Sequence, residues 1–241
     1  MIEFAGVCYR AGELEVLRDL TFTIERGTTL VLLGRSGTGK TTALKMINAL
    51  VMPTSGEVRV DGKSTRDWDP VQLRRRVGYV IQETGLFPHF TVFDNVAVVP
   101  RLHDWPPERI AARVEDLLQR VGLAPKDFAG RYPRDLSGGQ RQRVGVARAL
   151  AADPPVLLFD EPFGALDPVT RFELRREFRA LARDLGKTTL FVTHDVREAL
   201  ELGDRIALLA GGNLRELLPA KEFRQAKSAE ARAFLESLQS G

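Results

Sequence analysis

The feature that most constrains this chain is a glycine-rich loop between a predicted strand and a predicted helix. The apolar run Thr28–Leu33 reads as a buried strand, and residues 34–41 follow it with the pattern G-x-x-x-x-G-K-[ST]. Apolar residues then recur at three-residue spacing, which predicts a helix over Lys40–Leu50. Glycines let successive backbone N–H groups point at one anion, and a helix N-terminus adds partial positive charge. The sequence therefore predicts a phosphate-binding loop, with Lys40 reaching the β- and γ-phosphates and the Thr41 hydroxyl offered to Mg²⁺.

Composition narrows the class of protein. The chain has 241 residues and is 44% hydrophobic, which is enough to bury a sizeable core. Lys and Arg number 35 against 32 Asp and Glu, and this near balance argues against a nucleic-acid partner. Cys8 has no second cysteine to pair with inside the chain. The start of the sequence lacks a signal-peptide pattern, and no run approaches the roughly 20 apolar residues that cross a bilayer. We expect a chain that does not span a membrane by itself.

Predicted strands lie on both sides of a helical middle. They cover Ile2–Phe4, Leu14–Leu17, Leu20–Ile24, Thr28–Leu33, Glu57–Val60, Val77–Ile81, Val156–Asp160, Thr188–Thr193 and Arg205–Leu209. From about Thr91 to Leu150 the apolar spacing is helical only. Strands that alternate with helices predict a largely parallel sheet, and the helical block predicts a subdomain inserted over about residues 88–152. We expect one domain over residues 1–241, ending in one or two surface helices at about residues 219–239.

Two carboxylates follow the predicted strand at Val156–Phe159. Asp160 and Glu161 emerge at its C-terminal end, and that edge of an open α/β sheet binds ligands. Asp160 would hold Mg²⁺, directly or through water, and Glu161 would polarise an attacking water as general base. The alternative is a surface acidic pair. The phosphate-binding loop in the same chain favours the catalytic interpretation.

A second glycine-bearing helix start occurs at Leu136–Gln140, which reads LSGGQ. Its N–H groups and the Ser137 hydroxyl can bind another face of a γ-phosphate. One chain then has two phosphate-binding helix N-termini, at Lys40 and at Ser137. When two copies share each ATP, the phosphate-binding loop of one copy faces the LSGGQ segment of the other. A two-fold dimer forms two such sites. The sequence therefore favours a dimer that holds ATP between its copies.

With these motifs in this order, nearly the whole chain resembles the ATP-binding subunits of ATP-binding cassette (ABC) transporters. The resemblance covers the Walker A motif (Gly34–Thr42), the Q-loop glutamine (Gln82), the signature (Leu136–Gln140), the Walker B motif (Val156–Glu161), the D-loop (Ala165–Asp167), the switch histidine (His194) and an aromatic ring at the adenine position (Tyr9). It implies an α/β P-loop NTPase (RecA-like) core with an N-terminal antiparallel β portion. It also implies an inserted α-helical subdomain that carries the signature.

The resemblance also implies roles for single residues. Gln82 would contact Mg²⁺ and the attacking water, His194 would bind the γ-phosphate and hold Glu161, and Asp167 would lie across the dimer interface. Tyr9 would stack on adenine; a half-buried strand aromatic is the alternative. The implied ATP ligands are Tyr9, Gly34, Arg35, Ser36, Gly37, Thr38, Gly39, Lys40, Thr41 and Thr42, joined from the other copy by Ser137, Gly138, Gly139, Gln140 and Asp167. The implied Mg²⁺ ligands are Thr41, Gln82 and Asp160, and the implied catalytic residues are Glu161, His194 and Gln82.

Within that family the chain is most similar to importers of quaternary-ammonium osmoprotectants such as glycine betaine, choline and carnitine. The segments that carry this similarity are Gly78–His89, Arg131–Pro133, Val144–Pro155 and Phe163–Pro168. Arg35 departs from the proline or alanine that is commoner in the family, and Glu83 from the second glutamine of the subgroup. The resemblance implies a homodimer of ATPase subunits, bound to integral membrane permease subunits at the cytoplasmic face of the inner membrane. A solute-binding protein would be an indirect partner.

Other functions stay open at this point. The chain could energise an importer of another small solute, such as an amino acid. A soluble ABC ATPase that acts on nucleic acid or ribosomes is disfavoured, because one cassette is present and no long insertion separates Lys40 from Ser137. A pseudo-ATPase would lack a catalytic residue, whereas Lys40, Glu161 and His194 are all present.

Overall fold

Strands and helices alternate along most of the chain, in a computed structural model that describes residues 2–82, 85–164 and 166–238. The strands are β1 (Ile2–Ala11), β2 (Leu14–Ile24), β3 (Thr29–Leu33), β4 (Ser55–Val60), β5 (Lys63–Ser64), β6 (Val77–Val80), β7 (Val156–Asp160), β8 (Thr188–Thr193), β9 (Arg205–Ala210) and β10 (Asn213–Pro219). The helices are α1 (Lys40–Ile47), α2 (Pro70–Arg75), α3 (Val92–Leu102), α4 (Pro107–Arg120), α5 (Pro125–Phe128), α6 (Gly138–Leu150), α7 (Pro168–Asp184), α8 (Val196–Leu202) and α9 (Ala229–Glu236). The predicted α/β class is confirmed.

The chain divides into two compact units. The first unit comprises residues 1–74 and 185–241, and the second comprises residues 75–184. The first unit therefore contains β1–β5 and β8–β10, and the second contains β6, β7 and α3–α7.

An antiparallel sheet forms the N-terminal part of the first unit, as predicted. Its strand order is β2-β1-β4-β5. Phe4 and Phe22 face each other across β1 and β2, and their rings stack with centroids 4.4 Å apart. Apolar side chains from one face of β1 and β2 are buried, among them Ile2, Val7 and Leu20. Burial of this face holds the register of the sheet.

The other sheet of the first unit is mainly parallel. Its strands follow the order β10-β9-β3-β8, and β3 pairs in parallel with both β8 and β9. All residues of Leu30–Leu33 are buried, which explains why β3 is a continuous apolar run rather than an alternating one. Helix α8 packs against β3, and α1 packs against β8. The sheet thereby fixes where the loop after β3 begins.

The second unit pairs two parallel strands with a helical layer. Strand β6 runs parallel to β7, and α6 contacts β6, α3, α4 and α7. Gly78 of β6 has no space for a side chain, because a Cβ there would lie 2.4 Å from the Ala149 carbonyl oxygen of α6. The apolar stripe of α4 is buried at Ile110, Val114, Leu117 and Leu118, in the part of the chain where the sequence predicted helices only. The helix that begins at the LSGGQ segment is thus the centre of this unit.

Several elements differ from the sequence predictions: β1 continues to Ala11 instead of ending at Phe4, and β5 and α2 were not predicted. Strand β2 is one strand rather than two, because an irregularity at Asp19, where φ is 45°, lets pairing with β1 continue. Helix α1 ends at Ile47 rather than Leu50, since Ala49 turns to a φ of 53° and Leu50 is half exposed. Strand β10 was not predicted; most of its residues are only partly buried, so it lacks a clear apolar alternation.

Among the residues that the structure describes, no helix is both long enough and apolar enough to cross a membrane.

Candidate functional site

The loop between β3 and α1 is closed around one carbonyl group. The Nζ of Lys40 donates a hydrogen bond to the Arg35 carbonyl oxygen at 2.9 Å, and the Thr38 hydroxyl donates to the same oxygen at 2.8 Å. Lys40 is only 4% exposed, whereas Arg35, Ser36 and Gly37 are exposed. The loop therefore places its backbone at the surface above a buried ammonium group, which suits an anionic ligand.

The glycines of this loop are required by its geometry. A Cβ on Gly34 would lie 2.5 Å from the Leu209 carbonyl oxygen, so a larger residue cannot start the loop without displacing β9. Gly39 has a φ of 95° and is the N-cap of α1, and no side chain caps this helix. The first N–H groups of a helix need partners, and phosphate oxygens at a helix N-terminus supply them. The half-buried Thr41 and Thr42 lie in the first turn.

Parallel pairing brings His194 to the same edge of the sheet as this loop. Leu33 of β3 pairs with Thr193 of β8, so Gly34 and His194 each follow directly after paired residues. His194 is exposed, and the next residue, Asp195, caps α8 by accepting a hydrogen bond from the Arg197 N–H at 2.7 Å. Within the first unit, the predicted phosphate loop and the predicted switch histidine are therefore neighbours.

Tyr9 lies one strand away from the same loop. It is half-buried on β1 and pairs with Leu17 of β2. The Leu17 Cδ2 atom lies 2.5 Å from the position that a Cβ on Gly39 would take, so Leu17 packs against the phosphate loop. This register places Tyr9 opposite Leu17, the residue that contacts the loop.

In the second unit, Asp160 ends the buried strand β7 and is 8% exposed. Its Oδ2 accepts a hydrogen bond of 3.1 Å from the Tyr79 hydroxyl, which belongs to the neighbouring strand β6. Burial, and then the nearby Asp160 carboxylate, raise the pKa of Tyr79 well above its ordinary value, so the hydroxyl keeps its proton and donates. Sequence reasoning missed Tyr79. The available signal was its place on the strand predicted just before Gln82.

Glu161 has an uncommon backbone conformation for its residue type. Its φ is 45°, in the left-handed region that a long side chain seldom adopts. Strain of this kind persists where surrounding structure enforces it, and it concentrates at functional sites. Gln82 is exposed, and its Nε2 lies 3.5 Å from the position that a Cβ on Gly164 would occupy. The Glu161 carbonyl oxygen lies at the same distance from that position, so Gln82 and the backbone of Glu161 flank Gly164.

The LSGGQ segment forms a capping box at the start of α6. The Ser137 Oγ accepts a hydrogen bond from the Gln140 N–H at 3.2 Å, and the Gln140 Oε1 accepts one from the Ser137 N–H at 2.9 Å. A Cβ on Gly138 would lie 3.2 Å from the Leu166 side chain, and a Cβ on Gly139 would lie 2.7 Å from that of Thr170. The two glycines are therefore needed for close packing against the segment around Asp167.

Asp167 caps the next helix instead of projecting freely. Its Oδ1 accepts a hydrogen bond from the Thr170 N–H at 3.0 Å, and this bond lowers the pKa of the exposed carboxylate. The Arg171 guanidinium donates to the Leu166 carbonyl oxygen at 3.2 Å, which holds the segment before α7. Ala165 of the predicted D-loop and the unusual Glu83 lie outside the described residues.

Comparisons with known proteins agree with this architecture. Residues 17–164 match the family described as "ABC transporter". The chain is 47% identical to "Glycine betaine/carnitine/choline transport ATP-binding protein OpuCA" of Bacillus subtilis over 230 residues, which cover 92% of this chain and 60% of that protein. It is 50% identical to "Glycine betaine uptake system ATP-binding protein YehX" of Escherichia coli over 214 residues, covering 89% of this chain and 69% of that protein.

The curated relatives are longer than the matched region, and this chain spans 54% to 60% of the length of the first five. Among solved structures, a dimeric post-hydrolysis state of the ATP-binding cassette MJ0796 bound to ADP and Pi superposes with a TM-score of 0.80 at 34% sequence identity. That match covers 91% of this chain and 99% of the solved chain, so the fold is that of a P-loop NTPase of the cassette type. The chain belongs to the ABC transporter family.

Proposed function

We propose that this chain is the ATP-hydrolysing subunit of an ABC importer for quaternary-ammonium osmoprotectants of the glycine betaine, choline and carnitine type. One observation carries the ATPase part: two helix starts are suited to phosphate, α1 after Gly39 and α6 after Ser137. Membership of the family supports ATP as the nucleotide. The printed names of the most similar relatives support the solute class.

Residues of the first unit would bind the triphosphate. The loop of residues 34–39 offers N–H groups to the phosphates, and the Lys40 ammonium would turn from the Arg35 carbonyl toward the β- and γ-phosphate oxygens. His194, at the same sheet edge, would hydrogen-bond the γ-phosphate. Tyr9 would stack on the adenine ring. Buried charge makes these contacts strong, because little water competes for them.

The second unit would supply the groups that act on the γ-phosphate. Glu161 would accept a proton from the attacking water, and Gln82 would orient that water. Thr41, Gln82 and Asp160 offer hydroxyl, amide and carboxylate oxygens, the hard donors that Mg²⁺ prefers. When bound, Mg²⁺ would neutralise charge on the β- and γ-phosphates. Asp160 would enter such a site already oriented, since Tyr79 fixes one of its two oxygens.

A second copy of the chain would complete each site. The Ser137 oxygen already accepts the Gln140 N–H, so its own proton remains for donation to an oxygen of a γ-phosphate held by the partner. Gly138, Gly139 and Gln140 continue the same helix start. Leu166 and Thr170, on either side of Asp167 in the sequence, pack against the two glycines. ATP binding would close the dimer and hydrolysis would reopen it. A membrane permease would convert that motion into solute movement.

The test of this proposal is reconstitution. The chain would be co-purified with its membrane partner, placed in liposomes, and supplied with the cognate solute-binding protein. We expect ATP hydrolysis to rise severalfold when that protein carries glycine betaine, choline or carnitine, and to stay basal with neutral amino acids. Lys40→Ala is the inactive control, because it removes the ammonium group from the loop. Absence of hydrolysis under every condition would contradict the ATPase role, whereas stimulation by an amino acid would contradict only the solute class.

Tyr79→Phe is expected to weaken Mg²⁺ binding, and so to raise the Mg²⁺ midpoint, without changing metal-free ATP binding. The variant removes only the hydroxyl that orients Asp160, and loss of such an orienting bond lowers metal affinity about tenfold. The measurement is the Mg²⁺ concentration at half-maximal gain in melting temperature at a fixed ATP concentration. Tyr132→Phe is the matched control, since Tyr132 is exposed on the surface. Equal Mg²⁺ midpoints in wild type and Tyr79→Phe would show that Tyr79 does not position Asp160.

A further inference from the structure

A basic side chain near the C-terminal end of α6 reaches the segment that follows Gln82. The Nη1 of Arg148 donates a hydrogen bond of 2.7 Å to the Gly85 carbonyl oxygen. Arg148 lies on the same helix as the Ser137 cap, eleven positions further along, which corresponds to about 16 Å of α-helix. One rigid helix therefore has the predicted γ-phosphate contact at its start and a contact to the Gln82 segment near its end.

Gly85 is held in a backbone conformation that directs its carbonyl group. Its φ is 52°, and a Cβ there would lie 2.5 Å from the Cδ1 atom of Ile81, the residue that precedes Gln82. The chain thus turns back on Ile81 at a point where a side chain would interfere. Because the turn fixes the backbone on one side and Arg148 holds the carbonyl on the other, the position of Gly85 depends on α6.

The surroundings of Arg148 make this contact a firm one. Arg148 is half-buried, and burial lowers the pKa of its guanidinium from a value so high that the group stays charged. A charged donor forms a stronger hydrogen bond to a carbonyl than a neutral donor does. The next residue, Ala149, packs closely on Gly78 of β6, the strand that leads to Gln82. The end of α6 therefore packs against both β6 and the turn at Gly85.

We propose that Arg148 is a positioning residue that ties the segment after Gln82 to the helix carrying the LSGGQ cap. Displacement of the Ser137 end of α6 by ATP then moves Gly85, and displacement of Gly85 moves the cap. This inference rests on the proposed ATPase function, and it adds to that function a residue that sets the position of Gln82 from outside the nucleotide site.

A purely structural role for Arg148 predicts a different result, and a second arginine that binds the end of α6 offers a matched control. Arg113 of α4 also donates through its guanidinium to carbonyl oxygens at the end of α6, those of Leu150 at 2.9 Å and Ala151 at 3.2 Å. It anchors α6 to α4 and does not contact Gly85. Arg113→Ala therefore removes comparable bonds from the same helix end without touching the Gln82 segment.

The experiment compares Arg148→Ala, Arg148→Lys and Arg113→Ala in the full chain. Amide hydrogen exchange over residues 85–91 is expected to speed up about tenfold in Arg148→Ala and to stay near wild type in Arg113→Ala. At saturating ATP, kcat is expected to fall about tenfold in Arg148→Ala, with KM for ATP within about twofold of wild type, because the nucleotide loop is untouched and only the water-orienting group is misplaced. Arg148→Lys keeps the charge and is expected to recover part of both effects.

A second perturbation approaches the contact from the other side. Gly85→Ala should displace the carbonyl that Arg148 binds, and the double variant Gly85→Ala/Arg148→Ala should then be little worse than either single one. Equal exchange over residues 85–91 in Arg148→Ala and Arg113→Ala, or a parallel loss of kcat in both, would overturn the proposal. A wild-type chain with no ATP hydrolysis would contradict the proposed function instead. Hydrogen exchange over residues 85–91 would still test whether Arg148 holds Gly85.

Discussion

Glu161→Gln is expected to keep ATP binding and to lose turnover, with the hydrolysis rate at saturating ATP falling at least about 100-fold. Glutamine has nearly the same shape as glutamate but cannot take a proton from water. The change leaves the loop of residues 34–39 and the buried Lys40 as they are, and these groups bind the phosphates in our proposal. The measurements are ATP affinity by equilibrium binding and phosphate release at saturating ATP. Near-normal release would remove Glu161 as general base.

The same variant is expected to accumulate as an ATP-bound dimer, because the step that reopens the dimer is blocked. Two samples of Glu161→Gln protein in a Cys8→Ser background would carry Arg35→Cys and Arg134→Cys, respectively. Both side chains are exposed, one in the phosphate loop and one just before the LSGGQ cap. A short bis-maleimide should link the mixed copies with Mg-ATP and not with ADP. No ATP-dependent link would contradict the sharing of ATP between Ser137 of one copy and Lys40 of the other.

Glu161→Gly separates chemistry from backbone strain. A φ of 45° costs a long side chain on the order of 1–3 kcal/mol, whereas glycine adopts it without that cost. Glu161→Gly should therefore raise the free energy of unfolding by about 1 kcal/mol while being as inactive as Glu161→Gln. A glycine variant that is less stable than wild type would show that the Glu161 side chain, rather than its backbone, matters for folding.

Much of this architecture follows from short-range patterns in the sequence. The strand before Gly34 and the helix after Gly39 are predictable because a continuous apolar run and a three-residue apolar spacing are strong local signals. The end of a parallel strand is also a predictable place for a polar side chain, as for His194 after β8 and Asp160 at the end of β7. Such signals depend on neighbours in sequence, which is why they can be read without a structure.

Contacts between distant segments could not be predicted in the same way. The bond from Tyr79 to Asp160 depends on the pairing of β6 with β7, and the bond from Arg148 to Gly85 depends on a left-handed turn at a glycine. Tyr79 and Arg148 lie in segments that carry the similarity to the importers, but no motif assigns a contact to either side chain. Strand β10 escaped prediction for a related reason, since its pairing with β9 rather than its own apolar pattern makes it a strand.

Gly56→Ala is expected to destabilise the N-terminal sheet by at least about 3 kcal/mol, a loss in the range of severe single substitutions. Gly56 has a φ of 73°, and a Cβ there would lie 2.1 Å from the Gly6 carbonyl oxygen and 2.6 Å from that of Ala5. Both contacts are with the backbone of β1, so no side-chain rotation can relieve them. The strand must move, and the pairing of Ala5 with Glu57 is the first to be disturbed.

Gly62→Ala provides the matched control for this prediction. Gly62 has a φ of 79°, close to that of Gly56, but a Cβ there would meet nothing within 4 Å. It should lose only about 1–2 kcal/mol, the cost of a left-handed backbone for a residue with a Cβ. The midpoint of urea unfolding should therefore drop markedly further for Gly56→Ala than for Gly62→Ala. Equal midpoints would mean that β1 can move at Gly6 without loss of stability. The left-handed φ, rather than the lack of space for a Cβ, would then be the reason for glycine at position 56.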